Sequence, residues 1–230
     1  MNYAVILSGG VGSRLGLNIP KQYYEVNQKP IICYVIDTIQ KCDFIDGYVI
    51  VAEFEWIAYI KEQISFPKKC IGFASPGENR QLSIYNGLKC LNGMLTISDN
   101  DIVLIQDAAR PNTSVDLLYR CFSLTENEDG AMPVLPMKDT IYFSKTGKAV
   151  DGLLNRNELF AGQAPESFRF KKYLKANEAL LQNQIYAING STEPAILAGM
   201  NIKMIAGEEN NYKITTESDL QRFCEQVKRA

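Results

Sequence analysis

An apolar run, Tyr3 to Leu7, empties into Ser8-Gly9-Gly10-Val11-Gly12-Ser13-Arg14-Leu15-Gly16, and Pro20-Lys21-Gln22-Tyr23 follows. No other stretch constrains the fold as strongly, because a short buried strand opening into a glycine-rich loop is the natural first unit of an open α/β sheet. Glycines let main-chain N–H groups approach anionic oxygens closely, and Arg14 and Lys21 bring two cations to the same place. The loop offers charge and main-chain donors rather than a nucleophile, which suits phosphates. Two commoner glycine motifs do not fit. A dinucleotide fingerprint needs a third glycine where Leu15 stands, with Gly16 one place late, and a Walker A loop needs a Gly-Lys pair that this strand lacks. A plain β-to-α turn is the remaining alternative, and Arg14 with Pro20-Lys21 weighs against it.

Short apolar runs recur at Ala4–Leu7, Tyr48–Ala52, Ile71–Ala74, Ile102–Ile105 and Ala131–Leu135, with helical stretches between the early ones. Such alternation predicts a Rossmann-like α/β fold, a mostly parallel sheet flanked by helices. Ile31 to Ile39 fits a crossover helix, and Leu82, Tyr85, Leu88 and Leu91 recur at helical spacing after Arg80. Thr216-Glu217-Ser218-Asp219 resembles a capping box with Asp in place of Glu, opening a last helix lined by Leu220, Phe223, Cys224 and Val227. The segment from Lys138 to Arg156 breaks the pattern. Ile141-Tyr142-Phe143, a Ser144–Gly147 turn and Ala149-Val150 predict a protruding β-hairpin arm; three bulky residues on an exposed arm call for a partner surface, the alternative being a hairpin folded over its own domain. The 230 residues are expected to form one domain, 1–230, with the arm at about 138–156.

Composition removes whole classes of chemistry. The chain has no histidine, which excludes serine triads, cysteine–histidine dyads and histidine-bound metals. Its six cysteines form no C-x-x-C pair and are expected to be reduced, mainly buried thiols rather than zinc ligands or a disulfide framework. A net charge of -2 gives no basic field for nucleic acid. Without an apolar run long enough for a membrane span or a charged-then-apolar leader, the expected location is the cytoplasm.

In an open parallel sheet ligands bind beyond the carboxyl ends of the strands. Collected there are Gly9, Gly10, Gly12, Arg14 and Lys21 after the first run, Gly77, Arg80 and Ser83 after the third, and Asp107 and Arg110 after the fourth. Asp107 can hold a magnesium ion with help from substrate phosphates; it can equally cap a turn or pair with Arg110.

Seven segments taken in order carry a resemblance: the glycine-Arg loop, Pro20-Lys21-Gln22-Tyr23, Gly77-x-x-Arg80-x-x-Ser83, Asp107-Ala108-Ala109-Arg110-Pro111, Lys138-Asp139-Thr140, Gly162-Gln163-Ala164-Pro165-Glu166-Ser167-Phe168 and Asn211-Tyr212-Lys213-Ile214-Thr215-Thr216. Together they resemble the cytidylyltransferases that act on methylerythritol phosphate or ribitol phosphate, over almost the whole chain. The resemblance implies transfer of CMP from CTP to a sugar-alcohol phosphate with release of pyrophosphate. It implies that Arg14, Lys21 and Lys213 surround the α-phosphate and leaving group and that Asp107 holds Mg²⁺. It assigns nucleotide binding to Ser8, Gly9, Gly10, Gly12, Gly77, Arg80 and Ser83, and substrate contacts to Asp107, Arg110, Thr140 and Arg156. Thr140 and Arg156 would reach the site from a partner's arm, which implies a homodimer.

Ser8-Gly9-Gly10, where the methylerythritol enzymes usually show Pro-Ala-Ala-Gly, and Gly162 before Gln163 lean toward the ribitol-phosphate branch. Ala164 stands where both branches usually have Thr, and Asn189-Gly190-Ser191-Thr192-Glu193 replaces a familiar Thr-Asp pair near the acceptor. These departures admit another pentitol or alcohol phosphate as acceptor, a precursor for a surface glycopolymer. The alternatives are the isoprenoid-pathway methylerythritol enzyme, a sugar-1-phosphate nucleotidyltransferase and a catalytically silent nucleotide-binding module.

Overall fold

The computed structural model describes residues 1–10, 16, 18–64 and 68–229. In chain order these form β1 (Asn2–Leu7), a short pair β2 (Glu25–Val26) and β3 (Lys29–Pro30), α1 (Ile31–Lys41), β4 (Gly47–Val51), α2 (Phe54–Gln63), β5 (Cys70–Ala74), α3 (Arg80–Met94) and β6 (Ile102–Asp107). There follow α4 (Val115–Thr125), β7 (Gly130–Pro136), β8 (Ile141–Phe143), β9 (Gly152–Leu154), β10 (Phe160–Gly162), β11 (Glu166–Arg169), α5 (Phe170–Glu178), α6 (Glu193–Leu197), β12 (Ile202–Ala206) and α7 (Glu217–Arg229).

The main sheet runs β10-β7-β11-β6-β1-β4-β5, with β12 also pairing β7. Strand β1 lies parallel to both β4 and β6, and β4 is parallel to β5. Every residue of β4 and β6 is buried, as expected of central strands covered on both faces. Alternation along β1 divides the core. Ala4 and Ile6 pack with Val35, Ile36 and Ile39 of α1 and Leu118 of α4, whereas Tyr3 and Val5 face Ile84, Leu88 and Leu91 of α3 and Tyr173 of α5. This is the α/β architecture expected, with all five predicted strands and three predicted helices present.

The sheet is not parallel throughout. Strand β11 inserts antiparallel between β6 and β7, so the strand at Ala131–Leu135 does not join β6 directly. The arm also differs from expectation. Its return strand is Gly152–Leu154, not Ala149-Val150. The turn is longer because Asp151 Oδ2 accepts from the Lys145 N–H at 2.6 Å and Ser144 Oγ accepts from the Gly147 N–H at 2.9 Å, drawing Ala149 and Val150 into the loop. All six thiols are free, but only Cys33, Cys42 and Cys121 are buried, fewer than the sequence suggested. No helix among the described residues is long and apolar enough to cross a membrane.

Candidate functional site

The carboxyl ends of β1, β4, β5 and β6 open on one rim, and a cavity of about 530 Å³ lies there. Its wall comprises Gly9 and Gly10 after β1, Glu53 after β4, Gly77 to Arg80 after β5, Asp107 to Ala109 after β6, and also Lys21, Ser83 and Lys213. Gly9 is required sterically, since a Cβ there would meet Pro76 Cβ at 2.4 Å. Gln22 staples this loop from below, its Nε2 donating to the Ser8 carbonyl at 2.6 Å and the Gly10 carbonyl at 2.8 Å. The staple is held by its neighbour: Tyr23 is buried, stacks on Trp56 with ring centres 4.3 Å apart and accepts at Oη from Ser8 Oγ at 2.9 Å.

Asp107 ends the buried strand β6 and collects three cations. Arg80 Nη2 lies 3.2 Å from Oδ1, while Lys213 Nζ at 3.1 Å and Arg110 Nε at 3.4 Å approach Oδ2. Burial alone would raise its pKa, but the combined attraction of Arg80, Lys213 and Arg110 outweighs this and holds the carboxyl far below the usual range. Lys213 comes from 106 positions further along and is anchored by its neighbour. Ile214 is fully buried, packs with Phe223 of α7, and donates its N–H to the Ala109 carbonyl at 2.9 Å.

Helix α3 starts at the rim. Asn79 caps it by accepting from the Leu82 N–H at 2.8 Å, which fixes Arg80 in the first turn. Ser83 Oγ accepts from the Gly77 N–H at 3.0 Å and donates to the Asn79 carbonyl at 2.9 Å, so its proton is already committed within the loop.

Of the site residues expected from sequence, Gly9, Gly10, Lys21, Gly77, Arg80, Ser83, Asp107 and Lys213 share this cavity. Ser8 lies behind it, buried, and Arg110 braces Asp107 from the side while donating Nη1 to the Asn211 carbonyl at 2.6 Å. Gly12 and Arg14 fall outside the described residues. Thr140 and Arg156 are exposed on the arm and do not line the cavity; Arg156 Nη1 donates to the Lys138 carbonyl at 2.9 Å. Among the described residues no group of three or more Cys, Asp or Glu converges on a point where a cation could sit without substrate. Sequence reasoning overlooked Glu53 and Glu166. Glu53 follows the Tyr48–Ala52 run that supplies most of β4 and was findable by the strand-end rule that identified the others. Glu166 gives no such signal, because it starts an antiparallel strand.

Comparison with known proteins agrees with this geometry. The model of the 2-C-methyl-D-erythritol 4-phosphate cytidylyltransferase family, IspD, matches residues 2–227. A Clostridium perfringens protein of that name is 33% identical over 220 residues, 94% of each chain. The ribitol-5-phosphate cytidylyltransferase of Streptococcus pneumoniae serotype 2 is 28% identical over 226 residues, 96% of each chain. Among solved structures, 2-C-methyl-D-erythritol 4-phosphate cytidylyltransferase from Francisella tularensis superposes with a TM-score of 0.82 at 24% identity, covering 98% of this chain and 99% of that one. The 4-diphosphocytidyl-2C-methyl-D-erythritol synthase of Anaerococcus prevotii does so with 0.82 at 23% identity, covering 100% and 96%. A family match running almost end to end, on a chain whose strand ends gather lysine, arginine and a buried aspartate at one rim, makes this protein a nucleotidyltransferase belonging to the IspD cytidylyltransferase family.

Proposed function

We propose that the chain transfers CMP from CTP to a pentitol phosphate, with ribitol 5-phosphate the first candidate, giving a CDP-alditol and pyrophosphate. The observation that carries the reaction is the cavity lined by Lys21, Arg80, Lys213 and the buried Asp107, with Arg80 and Lys213 paired to that carboxylate. The acceptor's phosphate oxygen attacks the α-phosphorus of CTP; the bond from that phosphorus to the oxygen bridging the β-phosphate breaks, and pyrophosphate leaves with its electron pair. Two polyanions must meet, and like unit charges about 4 Å apart repel by about 4 kcal/mol at an effective dielectric near 20. Lys21, Lys213 and Arg14 offset that repulsion and hold the charge that grows on the leaving group. Main-chain donors of Gly9, Gly10 and Gly12, together with Ser8, Gly77, Arg80 and Ser83, bind the nucleotide. The attacking phosphate is already ionised, so no general base is needed and the lack of histidine is no obstacle.

A buried carboxylate at a phosphate-binding rim suits Mg²⁺, which is commonly held by one or two carboxylates plus substrate phosphates. Asp107 would hold it, and the ion would supply charge neutralisation at the triphosphate.

The arm favours a homodimer. Tyr142, Val150 and Leu153 are each more than 60% exposed on a hairpin whose strands, among the described residues, pair only with each other. Thr140 and Arg156 are absent from their own chain's cavity wall, which fits a role in gripping the acceptor phosphate in a partner's site.

The ribitol reading rests on Ser8-Gly9-Gly10 and Gly162-Gln163; the 33% identical Clostridium relative supports 2-C-methyl-D-erythritol 4-phosphate as the second reading. Pyrophosphate release with CTP and Mg²⁺ is to be measured for ribitol 5-phosphate, xylitol 5-phosphate, arabinitol 5-phosphate and 2-C-methyl-D-erythritol 4-phosphate. A pentitol phosphate is expected to give the highest kcat/KM. Preference for the branched tetritol would overturn the assignment in favour of the second reading.

A further inference from the structure

Behind the cavity wall lies a buried carboxyl that the reaction does not use. Glu166 begins β11 and is 8% exposed. Its Oε1 accepts from the Ser191 hydroxyl, while its Oε2 is fully buried and has no hydrogen-bond partner among the described residues. Among the described residues the one cation in ion-pair range of Oε2 is Arg80, with Nη2 3.8 Å away, too far for a hydrogen bond. Arg80 therefore sits between two carboxylates, in contact with Asp107 and just short of Glu166.

A closed ring of buried contacts fixes this placement. Ser191 holds Glu166, and the Ser191 carbonyl accepts from Tyr173 Oη at 2.6 Å. Tyr173 Oη accepts from Gln81 Nε2 at 3.1 Å, and Gln81 is the chain neighbour of Arg80. The ring thus returns to the first turn of α3, with one end fixing the backbone beside Arg80 and the other aiming a carboxylate at its guanidinium. Burying a carboxyl with one oxygen left without a close partner costs stability, and an apolar or neutral group of the same shape would serve a core better. Burial raises the Glu166 pKa despite the attraction of Arg80, consistent with that cost. A group retained at such expense calls for another reason.

We infer that Glu166 is a positioning residue for the nucleotide site: its Oε2 is a second seat for Arg80, which holds the guanidinium in the cavity when a polyphosphate competes with Asp107 for the surrounding cations. Asp107 serves three cations at once and cannot fix any of them alone. Among the described residues Glu166 has ion-pair contact with Arg80 alone, so it can keep that side chain in place while the others turn to phosphate. The inference rests on the reading of Arg80 as part of the nucleotide site.

The test is a double-mutant cycle in CTP affinity, measured by titration calorimetry without acceptor, together with thermal melting of each protein. Glu166→Gln is expected to weaken CTP binding by at least about fivefold, with a melting temperature unchanged or raised because a buried charge has gone. In an Arg80→Ala background the same change is expected to have no further effect. Ser191→Ala, which frees Oε1, is expected to weaken CTP less and also only when Arg80 is present, and it replaces Glu166→Gln in the cycle should that variant fail to fold. Equal weakening in both backgrounds overturns the inference, since Glu166 would then act without Arg80, and so does CTP affinity within twofold of the parent. If Arg80→Ala alone leaves CTP affinity intact, Arg80 is not in the nucleotide site and the inference falls with that reading.

Discussion

At the scale of single residues, Asp107 and Lys213 carry different burdens although they touch. Lys213 is one-third exposed and its loss leaves Asp107 with Arg80 and Arg110, so the fold has little at stake. Lys213→Ala is expected to leave the melting temperature within a few degrees and to lower kcat by about 10²-fold or more, the usual cost of losing one preorganised group that stabilises developing charge. Unchanged turnover would take Lys213 out of the reaction. Asp107→Asn is the reverse case, because it strands three cations beside a neutral amide. The sign of its pH dependence follows from the depressed carboxyl. The ion pairs of Asp107 contribute their full stability above its ordinary value of 3.8, and this is lost as the pH falls from there toward the much lower value of the folded protein. The difference in unfolding free energy between parent and Asp107→Asn, measured in urea, is therefore expected to stay flat from about pH 5 to pH 8 and to shrink only below about pH 4. A difference that narrows between pH 5 and pH 7 would mean that the carboxyl is not held low.

At the scale of elements, the C-terminal helix shows how local sequence signals reach the site. Asp219 Oδ2 accepts from the Thr216 N–H at 2.8 Å, and the Asp219 N–H donates to Thr216 Oγ1 at 3.3 Å, the reciprocal pair of a capping box. The box starts α7, whose Leu220 and Phe223 bury Ile214, and Ile214 holds the backbone beside Lys213. Asp219→Ala is expected to cost about 1 kcal/mol in denaturant unfolding. It is also expected to lower kcat only slightly, because Ile214 keeps its bond to Ala109. This helix was legible from Thr216 to Val227 because both its signals, a cap and a 3.6-residue apolar period, are local. The strands of the parallel core were legible for the same reason, as continuous runs of Val, Ile and Leu. Strand β11 was not: Glu166-Ser167-Phe168-Arg169 places a carboxylate, a hydroxyl and a guanidinium in four positions, and all but Arg169 are buried by partners distant in sequence. The return strand of the arm was misplaced because Asp151 and Ser144 decide where the turn ends, and side-chain bonds of that kind leave no period to read. Strand-end logic identified most of the cavity wall, yet could not find the carboxylate behind it.

At the scale of the whole molecule, the arm raises the question of which chain completes which site. Lys213 belongs to the cavity of its own chain, while Arg156 stands on the arm, outside that cavity. If the arm reaches across a two-fold axis, each site combines Lys213 of one protomer with Arg156 of the other. Arg156→Ala is then expected to weaken use of the acceptor by well over tenfold, as loss of a charge-assisted phosphate contact does, with CTP affinity unchanged. Tyr142→Asp combined with Leu153→Asp is expected to convert a dimer to monomers in sedimentation velocity and to reduce turnover equally. Reduced turnover alone cannot distinguish a shared site from a supporting contact, but mixing can. Lys213→Ala and Arg156→Ala proteins, both nearly inactive when the acceptor is far below saturation, form hybrids for half of their dimers when allowed to exchange subunits freely; each hybrid has one site with both defects and one with none. Activity is therefore expected to rise from near zero to about a quarter of the parent's specific activity. An arm that serves its own protomer repairs neither site, so a mixture no more active than its components would show that each chain works alone.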